Sequence, residues 1–141
     1  MSDATGLLDT SIVVALGHLV TEELPLRGAI SSLTLAELAA GPVAAAGARI
    51  RAERQARLQR AESEFEVLSF DQTCANVWPR VYAATLASGR KPRGRRALDL
   101  MIATTALANR LPLYTTNPDD FLHLLELMQV IAVSRNANER R

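Results

Sequence analysis

A chain of 141 residues, 48% hydrophobic and with a net charge of +1, is long enough for one domain with a real core and too apolar to be disordered over most of its length. It contains no run approaching the roughly eighteen uninterrupted apolar residues of a membrane-spanning helix. A lone Cys74 excludes an internal disulfide and, without histidine or sulfur neighbours, a structural zinc site.

In chain order, a short apolar strand, "GLLD", is followed at once by "TSIVVALGHLV", whose spacing predicts a helix capped by Thr10 or Ser11. This apolar stretch carries Asp9 and has no basic residue before it. That argues against a signal peptide and makes the cytoplasm the expected compartment. A second strand, "AISSL", runs into the helix "TLAELAAGPVAAA", with a break expected at Gly41-Pro42. The segment "ARIRAERQARLQRAESE" is strongly helical, with arginines three apart from Arg51 to Arg60; it reads as a solvent face with Glu53 and Glu62 nearby, with RNA or dimer contact as the alternative. "FEVLSF" alternates as a strand. "DQTCANVWPRVYAATLASG" is a helix capped by Asp71 and ended by Gly89, with Cys74 and Trp78 one turn apart on a core or dimer surface. A basic loop, "RKPRGRR", then precedes the buried helix "ALDLMIATTAL". "LPLYTT" is a strand, "NPDDFLHLLE" a turn and short helix, and "LMQVIAVS" a last strand. The polar tail from about residue 135 to 141 is expected to fray. Strands alternating with helices predict one α/β domain over residues 1–141, a helix–sheet–helix sandwich with a central, mostly parallel sheet.

The acidic residues fall in a pattern on this outline. Asp9 ends the first strand, Glu37 and Asp99 are expected in the first turns of their helices, and Asn117, Asp119 and Asp120 follow a late strand. In an open parallel sheet these positions gather at one edge, where such folds bind ligands. Each residue has an ordinary structural role open to it. Asp9 suits a helix N-cap, Glu37 completes a capping box with Thr34, Asp99 answers a helix dipole, and Asp119 and Asp120 suit a turn. Together, however, they would repel by about 4 kcal/mol per close pair at an effective dielectric near 20. An all-oxygen cluster of this kind suits a hard cation, Mg²⁺ or Mn²⁺, and the phosphodiester chemistry such ions support. Neither His18 nor His123 is assigned as a ligand.

The pieces "LLDTSI", "SSLTLAEL", "ALDLMIATTAL" and "YTTNPDDF" occur in an order and at spacings that resemble the PIN-domain ribonucleases, in particular the VapC-type toxins of bacterial toxin–antitoxin pairs. That resemblance spans nearly the whole chain. It implies a compact α/β sheet, Mg²⁺- or Mn²⁺-dependent endonucleolytic cleavage of RNA (transfer or ribosomal RNA among the possible classes), homodimerisation, and inhibition within a larger assembly by a VapB-type antitoxin. Carried over by residue, Asp9 and Asp99 are the principal metal ligands and Glu37 a third acid that binds metal or orients the attacking water. Ser11 and Thr116 are hydroxyls that hold the acids or a metal-bound water. Many relatives place an acid where this chain has Asn117. Asp120 matches the aspartate of the common "N-x-x-D-F" ending and is preferred as the fourth catalytic carboxylate, with Asn117 a neutral neighbour.

Of the sixteen basic residues fifteen are arginine, and Arg90, Lys91, Arg93, Arg95 and Arg96 crowd the loop before Asp99. They are candidates to hold RNA phosphates. If all five engage single-stranded RNA, log affinity falls with log salt at a slope of roughly −3.5. An aspartyl-phosphate phosphatase would need an aspartate at position 11, and a phospho-receiver a lysine after a late strand; the chain has Ser11 and only Lys91. The alternative that remains is a catalytically inactive PIN-fold module that only binds protein.

Overall fold

The two apolar residues at the end of the first strand decide how the chain layers. Successive strand side chains point to opposite faces, so Leu7 and Leu8 demand cover on both sides. In the computed structural model, which describes residues 4–137, both faces are covered. Strand β1 (Thr5–Leu8) is followed by helix α1 (Thr10–Val14). Strand β2 (Arg27–Ser31) leads to α2 (Ser32–Ala44) and α3 (Ala48–Glu64). Strand β3 (Glu66–Leu68) leads to α4 (Gln72–Ala87) and α5 (Arg95–Ala108). Strand β4 (Leu113–Thr115), a 3₁₀ helix (Pro118–Leu124) and β5 (Val130–Ala132) complete the order.

All neighbouring strands pair in parallel, in the order β3-β2-β1-β4-β5. Leu7, Ala29 and Leu113 pack on one face with Val81, Leu100, Ala103 and Phe121, beneath α4 and α5. Leu8, Ile30 and Tyr114 pack on the other with Ile12, Val13, Leu38 and Ala61, beneath α1, α2 and α3. The order matters for function. The chain builds outward from β1 through β2 to β3, then crosses back to lay β4 on the other side of β1. That reversal opens a crevice at the C-terminal ends of β1 and β4, the place where open α/β sheets bind ligands.

Several local expectations need revision. The first helix is five residues long rather than eleven, because Gly17 takes a left-handed φ of +92° and turns the chain away. Its cap is Asp9, not Thr10 or Ser11; the Asp9 carboxylate accepts the Ile12 N–H. Helix α2 runs through Gly41-Pro42 without a break, since Pro42 sits in the last turn, where few further hydrogen bonds remain to be lost. The α2 cap is Ser31, so Thr34 and Glu37 form no capping box. Part of the tail is held: Leu19 and Arg135 form an antiparallel bridge and the Asn136 N–H donates to the His18 carbonyl at 2.9 Å. The rest of the predicted fraying falls on residues 138–141, outside those described.

The threonines of the buried helix satisfy themselves. Thr104 and Thr105 donate to the carbonyls of Leu100 and Met101, and Thr105 also meets the Ser31 hydroxyl at 3.1 Å. Across the sheet, the fully buried Tyr114 ring lies directly on Gly6, where an added Cβ would stand 2.2 Å from its Cε1. Gly6→Ala should therefore destabilise the fold by about 1–3 kcal/mol, read as a lower denaturant midpoint at unchanged slope.

Candidate active site

Asp9 leaves the end of β1 straight into the crevice and is only 8% exposed. Its backbone N–H donates to the Tyr114 carbonyl at 3.1 Å, which fixes the residue to β4. Its Oδ1 accepts the Ile12 N–H at 3.2 Å and the Ser11 hydroxyl at 2.5 Å. Ser11 Oγ in turn accepts the Thr116 N–H at 3.1 Å and lies 3.5 Å from Thr115 Oγ1. Asn117 donates its N–H to that same Thr115 hydroxyl at 3.0 Å. Burial pushes the Asp9 carboxyl upward; the hydrogen bonds from Ser11, Thr115 and Ile12 oppose it.

Glu37 and Asp99 both stand a turn deeper in their helices than their spacing suggested, at the sixth residue of α2 and the fifth of α5. The helix dipole weakens beyond the first turn, so it does not account for either residue. Side-chain partners do. Thr10 donates to Glu37 Oε1 at 2.7 Å while meeting the buried Thr34 hydroxyl at 3.1 Å. Arg95, one turn before Asp99, forms an ion pair with Glu37 Oε2 and lies 3.3 Å from Asp99 Oδ1. Asp99 remains the most perturbed of these acids. Burial is the main cause of a rise to about 6; Arg95 opposes it, and Glu37, Asp9 and Asp120 add to it.

A cavity of about 340 Å³ is lined by Asp9, Ser11, Asp99, Thr116, Asn117 and Asp120, together with Arg95. Glu37 lies on an adjoining cavity that shares Thr10, Val14 and Arg95 with the first. Of the residues singled out in the sequence, Asp9, Ser11, Asp99, Thr116, Asn117, Asp120 and Arg95 thus line one crevice and Glu37 the one beside it, with two differences of detail. Thr115 presents its hydroxyl to Ser11, while Thr116 contributes its backbone N–H. Thr10, expected from the sequence only as a helix cap, orients Glu37; its place between two site residues in "LDTS" was the available signal.

The basic loop divides. Arg90 donates to the carbonyls of Asp119 and Asp120 and so pins the 3₁₀ helix to the end of α4. Arg96 reaches back to the Lys91 carbonyl and lines a small cavity with Asp99 and Asp120. Lys91 and Arg93 are exposed. His123 bonds Thr85 at 2.9 Å, and burial, with Arg90 and Arg96 nearby, lowers its pKa.

The donor set consists of carboxylate, hydroxyl and amide oxygens, as a hard divalent cation requires, with no histidine or thiolate in the crevice. Among the described residues no three acids, histidines or cysteines are drawn together tightly enough to enclose an ion unaided. Arg95 holds Glu37 and Asp99 where an ion would compete. An ion that keeps several waters, as Mg²⁺ does, fits such a set.

The raised Asp99 pKa has a stability consequence. Between the ordinary value of 3.8 and about 6 the folded chain holds a proton that the unfolded chain has lost. Stability therefore falls as pH rises through this window, and the penalty is complete above it. Without divalent metal, Asp99→Asn should stabilise the protein at pH 7.5 by roughly 1–2 kcal/mol and much less at pH 4, read from thermal melts at both values.

A PIN-domain family model matches residues 7–126. The chain is 40% identical over 124 residues to Ribonuclease VapC5 of Mycobacterium tuberculosis, covering 86% of this chain and 88% of that protein. Among solved structures it resembles the VapBC-5 toxin–antitoxin complex of the same organism, with a TM-score of 0.79 and 38% identity over 92% of this chain and 98% of the other. It also resembles DNA-bound VapBC from Salmonella typhimurium, with a TM-score of 0.71 and 26% identity over 94% and 98%.

Proposed function

Because the chain belongs to the PIN-domain family, we propose that it is the ribonuclease toxin of a VapBC-type toxin–antitoxin pair, an endoribonuclease that cuts RNA in the crevice between β1 and β4. The observation that carries this reading is the convergence of Asp9, Glu37 and Asp99, from three separate segments, on one electrostatically strained site. Asp9 and Asp99 would hold Mg²⁺ or Mn²⁺, with Asp120 completing the acidic wall and Asn117 beside it. A divalent ion bound there would offset the phosphodiester charge and make water a stronger nucleophile near neutral pH.

The remaining work falls to this chain's own side chains. Ser11 and the Ile12 N–H lock the Asp9 carboxylate in one orientation. Thr10 holds Glu37 so that Oε2 can take the proton of an attacking water once Arg95 turns to the incoming phosphate. Arg95, 60% exposed, has the freedom to make that exchange. Arg96, which lines a cavity with Asp99 and Asp120, would add a further phosphate contact, and Lys91 and Arg93, exposed on the same loop, are candidates for others, whereas Arg90 is committed to the backbone of the 3₁₀ helix.

The partner would be a VapB-type antitoxin, in keeping with the complexes formed by the relatives. A homodimer is supported by exposed apolar side chains on α4 and just beside it: Tyr82 (41% exposed), Leu86 (53%), Leu122 (54%) and Leu125 (53%). Among the described residues no helix is long and apolar enough to cross a membrane.

Cleavage of total RNA should require Mg²⁺ or Mn²⁺ and stop in EDTA. Asp99→Asn and Glu37→Gln should each lower the rate by about 10²–10⁴-fold with the fold intact by circular dichroism. Metal-independent or mutation-insensitive cleavage would sink the mechanism. Antitoxin binding without cleavage of any RNA would favour the inactive module. Thr10→Val should lower activity by about 10–100-fold, and Thr10→Ser should restore most of it, because only the hydroxyl orients Glu37.

A further inference from the structure

Helix α3 lies against α2 with the stem of Arg54 over Gly41. A Cβ at that glycine would stand 3.4 Å from Arg54 Cδ, so the small residue lets the side chain lie on the α2 backbone. Arg54 Nη1 donates to the Gly41 carbonyl at 3.0 Å, one of the last-turn carbonyls that a helix leaves without an internal partner. This single bond fixes the guanidinium and leaves its other N–H groups available.

One turn further along α3, Arg57 is half-buried, and no described residue gives it a hydrogen bond or ion pair. Its neighbours on the helix are otherwise engaged. Arg49 pairs with Glu53 at 3.0 Å and Arg60 with Glu64 at 3.1 Å. Glu37 and Glu53 line the cavities that Arg57 faces, but neither pairs with it, which leaves a partly desolvated guanidinium able to take an anion. Arg57 lines two adjoining cavities, of about 300 and 270 Å³. The first also meets Arg54, Thr10, Glu37 and Arg95; the second continues past Val13 to His18 between α1 and α3. Val14, 46% exposed, is shared by both and by the acidic cavity. The three cavities therefore adjoin one another around Val14, from the carboxylates to the far side of α1.

We propose that this α1–α3 groove carries the RNA strand on one side of the scissile bond, with Arg54 and Arg57 gripping the first backbone phosphates beyond the cut. Arg96, Lys91 and Arg93 serve the opposite side. The assignment rests on the nuclease reading above. A phosphodiester chain with one phosphate at the carboxylates must leave the crevice in two directions, and each exit needs cations to offset repulsion by the acids. Adjacency to the acidic cavity favours RNA over an acidic peptide as occupant. The recessed acids, with Asp9 8% exposed, favour a single strand over a duplex.

The test measures binding of a fluorescein-labelled pool of random-sequence single-stranded RNA oligonucleotides to the full chain carrying Asp99→Asn, in EDTA, between about 50 and 300 mM salt. Adding Arg57→Gln should flatten the log–log salt slope by about 0.7 and weaken binding about fivefold at 0.1 M salt; adding Arg54→Gln as well should double the change in slope. Arg57→Lys should keep most of the slope, and Arg80→Gln on α4 should leave it unaltered. Thermal melts check that each variant is folded. Wild-type slope and affinity in Arg57→Gln, with RNA still bound, overturn the groove and leave the nuclease reading standing. Loss of antitoxin binding alone in Arg57→Gln reassigns the groove to the peptide and overturns the proposal. Failure of every RNA to bind the parent overturns the groove and counts against the nuclease reading too.

Discussion

Holding several carboxylates partly out of water in one crevice is the constraint around which this molecule is organised. Burial, with Glu37, Asp9 and Asp120 adding to it, raises Asp99 to about 6, and nothing in a hydrophobic sandwich would collect these acids by itself. Three devices make the arrangement tolerable. Hydroxyls from Ser11 and Thr10 each satisfy a carboxylate oxygen, the Ile12 amide answers Asp9, and Arg95 bridges Glu37 and Asp99 with one positive charge. Ser11, Ile12 and Arg95 lie two to four positions from an acid they serve, and Thr10 reaches Glu37 from the end of β1 to the helix that follows the neighbouring β2. The site is thus built from local sequence at the ends of rigid elements, with its parts brought together by sheet order.

The sheet order is what gives the cluster its place. With β4 laid beside β1, the turns after both strands face one another, and the Asp9 N–H bonds to the Tyr114 carbonyl across the gap. Two well-separated hydrophobic layers hold this junction from either face. Small displacements of Asp9 relative to Asn117 and Asp120 would therefore require movement of the core itself, which close packing resists.

Much of this was legible in the residues. Alternating strands and helices, the buried helix interrupted by Asp99, and acids placed after strand ends all follow from periodicity and position. What escaped was set by tertiary contact. Glu37 and Asp99 were read as first-turn residues because a helix start is hard to fix by one turn from spacing, yet that turn decides whether the helix dipole or a side-chain partner governs the charge. Thr10 and Thr115 carry roles visible only once α1 faces α2 on one side and the end of β4 on the other. The basic loop looked like one patch of five equal charges. Folding gives Arg90 to the backbone of Asp119 and Asp120 and Arg95 to the acids, which no count of charges could separate. The early end of α1 came from Gly17, whose positive φ a sequence permits but does not require.

Asp9 also caps the helix that follows it. Its carboxylate is at once part of the acidic wall and the anchor of a five-residue helix too short to stand alone. Asp99 has no such second employment, and its charge burdens the fold. A lineage drifting from cutting RNA to merely binding partners would therefore shed Asp99 first, keeping Asp9 as a fossil whose persistence reports architecture rather than catalysis. In comparing descendants of this chain, the state of position 99 is the informative one.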